Sequence, residues 1–100
     1  MSEVRLSKLA RGDLVDIWRQ IARDNGASTA DLWIDRIERR CRQLAAFPQS
    51  GPARPDIAPE TRMLVISRWL VLYQVETADV RIVRVIHAAQ DLGEIDLSRD

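Results

Sequence analysis

The period of the hydrophobic positions changes along the chain, and each change marks an element. Val4 and Leu6 alternate with Glu3, Arg5 and Ser7, the pattern of a short opening strand. Ser7 then serves as an N-cap, and Ala10, Leu14, Ile17, Trp18 and Ile21 recur at helical spacing as one apolar stripe. Gly12 costs this helix about 1 kcal/mol, and Asp24-Asn25-Gly26 is its stop signal. Ser28, with Asp31 three residues on, resembles a capping box opening a second helix. Its stripe is Ala30, Trp33, Ile34, Ile37, Cys41, Leu44 and Ala45, and it is expected to run to about Phe47, before Pro48. Two helices joined by a few residues form an antiparallel hairpin, with Trp18 and Trp33 expected to pin it.

All four prolines lie in PQSGPARPDIAPET, residues 48–61, which reads as an ordered but irregular loop. Three runs of strand character follow, at Arg62 to Ser67, Trp69 to Val75 and Val80 to Ile86. Ser67-Arg68 must turn between the first two, and Glu76-Thr77-Ala78-Asp79 suits a hairpin turn between the last two. The order β-α-α-β-β-β predicts an α+β fold of two layers: an antiparallel helical hairpin packed on a mostly antiparallel four-stranded sheet. One domain is expected over residues 1–100.

The middle strand of this expected sheet places Trp69, Val71, Tyr73 and Val75 on one face, with Leu70, Leu72 and Gln74 on the other. Strict alternation in the last strand sets Val80, Ile82, Arg84 and Ile86 opposite Arg81, Val83, Val85 and His87. Both faces carry large apolar groups, whereas two helices cover only one. The pattern therefore predicts either an uncovered apolar sheet face, which points to a partner and is the favoured reading, or a strongly curled sheet whose second face is small and partly shielded by the C-terminal tail.

Composition narrows the class of function. With 46% apolar and 30% charged residues the chain has the makeup of a soluble globular domain. Basic and acidic side chains balance at 15 each, so no global field recruits nucleic acid or an anionic membrane. Neither an apolar leader nor a membrane-spanning run is expected: Met63 to Val75 is too short and is broken by Arg68. A cytoplasmic location is inferred. One cysteine, Cys41, and one histidine, His87, supply no ligand set for a metal, and no cofactor is expected. Cys41 falls on an apolar stripe and reads as a small core residue. Of the basic residues 14 are arginine, which leaves Lys8 as the only lysine.

The candidate chemistry centres on the segment RVIHAAQD, residues 84–91. His87 ends a strand and Asp91 follows four residues later. The pair is either an acid–base site or a strand terminus that fixes the tail, and the absence of a nearby nucleophile favours the second. Tyr73, the only tyrosine, reads as core with its hydroxyl at the rim. Arg62, Arg68 and Arg84 lie on or beside the sheet, where they would bind an anion or pair with acids. Arg36, Arg39, Arg40 and Arg42, with Asp35 and Glu38 among them, form a solvated and ion-paired helix face.

Three stretches carry a resemblance: RLSKLARGDLVDIWRQIARDN (5–25), WIDRIERRCRQLAAFPQSGPARPDI (33–57) and RMLVISRWLVLYQVETADVRIVRVIHAAQD (62–91). Their order and spacing resemble ParE-type toxins of the RelE/ParE superfamily, the toxin half of bacterial type II toxin–antitoxin pairs, over nearly the whole chain. The resemblance implies a toxin neutralised by a ParD-like antitoxin and acting on DNA gyrase without catalysis. RelE-like members instead cut messenger RNA on the ribosome, and in this chain such a site would have to use His87, Tyr73, Arg62 and Arg68. A non-toxic partner of the antitoxin is the third class. Phosphodiester cleavage needs a base, an acid and cations for the phosphorane charge. No lysine follows Lys8, no tyrosine follows Tyr73, and Gln90 stands where the family pattern has an arginine, which favours the gyrase-type reading. The resemblance implies no sequence-specific nucleic-acid binding by the chain alone. The antitoxin is expected to meet Leu9, Val15 and Leu32, off the main stripes, ringed by Arg11, Arg36 and Arg40, together with a sheet edge. Arg62, Arg68, Tyr73, Arg84, His87 and Asp91 are the residues expected to face a target.

Overall fold

The structure, a computed structural model, describes residues 3–97. Strand β1 (Val4–Leu6) leads into helices α1 (Lys8–Asn25) and α2 (Ala27–Arg42), and a 3-10 turn at Gln43–Ala45 closes the second. After the proline-rich loop come β2 (Arg62–Ile66), β3 (Trp69–Val75) and β4 (Val80–His87), then a 3-10 turn at Leu92–Glu94. The strands form one mixed sheet in the order β1-β4-β3-β2, with β1 parallel to β4 and the other pairs antiparallel.

Ser7 ends β1 and starts α1 in one residue. Its N–H donates to the Ile82 carbonyl at 2.9 Å, its hydroxyl donates to the Val83 carbonyl at 2.7 Å, and the same oxygen accepts from Ala10 N–H at 2.9 Å. The cap contributes about 1 kcal/mol. The start of α2 departs from the expected capping box. Gly26, at φ 94°, is the single residue between the helices, no side chain caps α2, and Ser28 lies inside its first turn. A turn this tight needs a residue that accepts positive φ, and glycine does so without a Cβ penalty. The helix also ends earlier than expected, at Arg42 rather than near Phe47, because its last turn tightens to 3-10.

The helix-facing core joins Ala10, Leu14, Ile17 and Ile21 of α1 to Ala30, Ile37 and Cys41 of α2, and both to Val71, Tyr73, Ile82 and Val85 of the sheet. The tryptophans divide their work. Trp18 Nε1 donates to Asp31 Oδ1 at 2.8 Å and ties α1 to α2, whereas Trp33 packs on Trp69 of β3, with ring centroids 5.1 Å apart. Burial, with Glu38 beside it, pushes the Cys41 thiol up to about 12. Cys41 should therefore resist a disulfide reagent at pH 8 in the folded protein and react at once after unfolding. Burial carries no ionisation cost while the thiol is protonated in both states, and stability falls as pH climbs from about 9 towards 12, where the unfolded thiol ionises and the buried one does not. The urea midpoint should fall over that window, and less so in Cys41→Ala.

Two expectations about the sheet need correction. Strict alternation in β4 fails, because Leu72 pairs with Arg84 whereas Tyr73 pairs with Ile82, leaving Val83 as an extra residue. This bulge moves Val85 rather than Arg84 into the helix-side core and turns Ile86 to the opposite face. The second face is also not bare. Leu70, Leu72 and Ile86 are buried there beneath Ile57 of the proline-rich loop and Leu92, Ile95 and Leu97 of the tail. The chain supplies its own cover for this face, so the less favoured expectation, shielding by the tail, is the one that holds.

Candidate functional site

The four residues required by a nuclease reading fall into two separate groups. Tyr73 and Arg62 are register partners on β3 and β2, and Trp69 and His87 are partners at the other end of β3, next to Arg68. Four residues of strand, about 13 Å, separate the groups. Tyr73 is fully buried; its hydroxyl accepts from Gly51 N–H at 2.9 Å and donates to the Pro48 carbonyl at 2.8 Å. Arg62 donates to the Gly51 carbonyl at 2.7 Å. Both side chains are thus engaged in holding the proline-rich loop against the sheet. The loop is closed further by Arg54 N–H to the Thr61 carbonyl at 2.7 Å and Met63 N–H to the Pro52 carbonyl at 3.1 Å.

At the other end, His87 and Arg68 line a cleft of about 210 Å³ between the end of the sheet and the turn of the helical hairpin. Gln20, Asp24, Asn25 and Thr29 form its polar wall, and Ile21, Trp33 and Trp69 its apolar floor. The Arg68 guanidinium lies 5.6 Å from the centre of the Trp69 ring, a cation–π arrangement. His87 Nδ1 accepts the Ala89 N–H at 3.0 Å. In a neutral imidazole with Nδ1 accepting, Nε2 carries the proton and can only donate. Asp91 Oδ1 caps the next turn by accepting from Gly93 N–H at 2.9 Å. No hydrogen bond joins His87 to Asp91 among the described residues. Each serves the backbone turn at its own position.

Arg84 is engaged within the fold. Its Nε and a terminal nitrogen donate to the two Asp13 oxygens at 2.7 and 2.8 Å, and its other terminal nitrogen donates to the Asp96 carbonyl at 2.8 Å. Asp13 also accepts from Val85 N–H at 2.9 Å. The carboxylate therefore takes the place of a strand partner where β4 runs on past the short β1. The bond from Asp13 raises the Arg84 pKa further above its ordinary value and keeps the guanidinium charged. Periodicity gave no sign of Asp13, a polar residue just off the α1 stripe whose partner lies 71 positions away.

On the outer side of the hairpin, Arg11 and Val15 are four residues apart on α1, and Leu32, Arg36 and Arg40 are four apart on α2, so each row shares one face of its helix. Val15 and Leu32 are 49% and 72% exposed, far more than apolar core residues. Leu9 is half-buried and sits off this row. Arg36 lies over Trp33, 4.9 Å from the ring centre, and Arg39 is bound to Asp35 one turn earlier. Among the described residues no group of acids, histidine and cysteine is placed to hold a metal ion, and no helix is long and apolar enough to cross a membrane.

Residues 4–92 match the family described as the ParE toxin of the type II toxin–antitoxin system parDE. Toxin ParE3 of Caulobacter vibrioides is 33% identical over 93 residues, covering 93% of each chain. Among solved structures, a chain of the chromosomal ParDE toxin–antitoxin system of P. aeruginosa superposes with a TM-score of 0.78 at 20% identity, over 87% of this chain and 96% of that one. The likeness to the solved structure concerns the fold; the family match and the Caulobacter relative concern descent. The chain belongs to the ParE toxin family of type II toxin–antitoxin systems.

Proposed function

We propose that this toxin arrests bacterial growth by binding DNA gyrase, without catalysis, and that a cognate ParD-like antitoxin neutralises it. The observation that carries the non-catalytic part is the split between Tyr73 with Arg62 and His87 with Arg68, combined with the engaged Nδ1 of His87. A cleavage site needs its base, acid and cations within hydrogen-bond reach of one phosphate, and strand geometry holds these groups about 13 Å apart. Mapping of messenger RNA ends after induction should reveal no new discrete cuts. Cuts that disappear in His87→Ala would replace this reading with a ribosome-dependent nuclease, and harmless expression in a sensitive host would replace it with a non-toxic binding partner.

The antitoxin's amphipathic segment is placed on the outer face of the hairpin, with apolar side chains on Val15 and Leu32, beside Leu9, and carboxylates on Arg11, Arg36 and Arg40. Arginine–carboxylate contacts of this kind are strong and directional. Leu32 is exposed, so Leu32→Asp should leave the fold intact while placing a charge inside the interface. Leu32→Asp and Arg40→Glu should each weaken neutralisation in co-expression by about tenfold or more. Full neutralisation of the combined variant would place the footprint elsewhere.

A further inference from the structure

Of the arginines expected to face a target, two are committed inside the fold: Arg62 to the Gly51 carbonyl and Arg84 to Asp13. Arg68 differs. It is exposed, and among the described residues its side chain has no hydrogen-bond or ion-pair partner. Its guanidinium lies 5.6 Å from the centre of the Trp69 ring.

The backbone that carries Arg68 is fixed. Ser67 and Arg68 form the two-residue turn between β2 and β3, with Ile66 and Trp69 paired across it. Ser67 has φ 56°, in the left-handed region, at a turn position where glycine is usual. The Arg68 carbonyl accepts the Ala88 N–H at 2.8 Å, which ties the turn to the segment after β4. A non-glycine residue at positive φ persists where its surroundings over-determine it, and such residues cluster at ligand clamps. The aromatic support is equally built. Trp69 packs on Trp33 with centroids 5.1 Å apart, and both rings form the floor of the cleft of about 210 Å³.

Opposite Arg68 the wall is mostly neutral. Gln20, Asn25 and Thr29 have no side-chain hydrogen bonds among the described residues, and Asp24 is paired with Arg23 at 3.7 Å. His87, exposed and with Nδ1 engaged, offers one N–H that would exchange a water bond for a partner's, at little net gain. The cleft is of side-chain size and holds one uncommitted cation above an apolar floor. Its complement is a carboxylate with apolar atoms next to it.

We infer that Arg68, stacked on Trp69 and backed by Trp33, is the anchor by which the toxin grips gyrase, taking a carboxylate side chain of the target into this cleft. The inference rests on the gyrase reading above and gives it a contact surface distinct from the outer hairpin face. Arginine and tryptophan are the residues that most often dominate protein interfaces, and an arginine already ordered loses little freedom on binding. The guanidinium takes the carboxylate in a two-pronged contact, and the neighbouring apolar atoms lie on the tryptophans.

The test is inhibition of supercoiling by the full toxin, with purified gyrase, at low and raised salt. Arg68→Glu should raise the toxin concentration for half-inhibition by about tenfold or more. Arg68→Lys should fall between, because a point charge replaces the planar fork. Gln20→Glu preserves helix propensity and sets a carboxylate on the cleft wall; it should weaken inhibition by about threefold or more. Asp24→Asn should strengthen inhibition by a similar factor, and raised salt should shrink both effects. A merely structural role for these positions would not produce opposite signs. Should Arg68→Glu fail to fold, as read from its urea midpoint, Gln20→Glu and Asp24→Asn still decide. Parent-like inhibition by folded Arg68→Glu and Gln20→Glu overturns the cleft contact and leaves the gyrase reading in place. Loss of antitoxin binding in these variants, with inhibition unchanged, overturns it too and gives the cleft to the antitoxin. Absence of inhibition by the parent protein overturns both.

Discussion

Asp13→Ala should lower the unfolding free energy by about 3–5 kcal/mol, because it strands a charged guanidinium in a poorly solvated site. The side chains of Asp13 and Arg84 are only 12% and 14% exposed, and the carboxylate accepts three hydrogen bonds, two from Arg84 and one from Val85 N–H. Arginine does not shed its proton at accessible pH, so the unpaired charge has no escape by titration. Removing both partners together, as in Asp13→Leu with Arg84→Met, should cost less than the sum of the single changes, since no lone charge remains. Urea unfolding of the four proteins measures the cycle. An Asp13→Ala protein within about 1 kcal/mol of the parent would mean that the pair contributes little.

The second large effect is expected at Gly51. A Cβ built there would lie 2.7 Å from the Met63 carbonyl oxygen, 2.8 Å from the Tyr73 hydroxyl and 2.9 Å from the Met63 carbonyl carbon. Two of these atoms are backbone and cannot swing aside. Gly51→Ala should cost about 1–3 kcal/mol from overpacking, and more where the Tyr73 hydroxyl is displaced, since the Gly51 N–H and the Pro48 carbonyl then lose their partner. Tyr73→Phe isolates the polar part of the effect at about 1–3 kcal/mol. In both variants exchange should quicken over residues 48–63 more than over α1, while growth arrest per folded molecule stays the same. Loss of arrest in a stably folded Tyr73→Phe protein would give the hydroxyl a functional role.

These two sites also mark what was legible in the sequence. Helical spacing from Ala10 to Ile21, the break at Asn25-Gly26 and the period-2 runs from Arg62 onward define the layers, because local periodicity records which face each element buries. The Ser7 cap was legible for the same reason: it acts within one turn. The Val83 bulge was not, since it depends on how β4 meets both β3 and α1. The covering of the second sheet face was legible only in outline: shielding by the tail was the less favoured reading, and the residues that provide it, Leu92, Ile95 and Leu97, lie in a segment whose own pattern is weak. The candidate site divides along the same line. The exposed arginine rows of the hairpin could be read from spacing, but the separation of Tyr73 from His87 and the engagement of Arg84 by Asp13 required the register of the sheet.

The central claim, a toxin that blocks gyrase by binding rather than by cleavage, is tested most directly by a supercoiling assay with purified gyrase, relaxed plasmid and a titration of toxin. The parent protein and His87→Ala should inhibit supercoiling equally in the micromolar range, and added antitoxin should restore it. Supercoiling that proceeds untouched at those concentrations, with protein that still arrests growth, would contradict the claim.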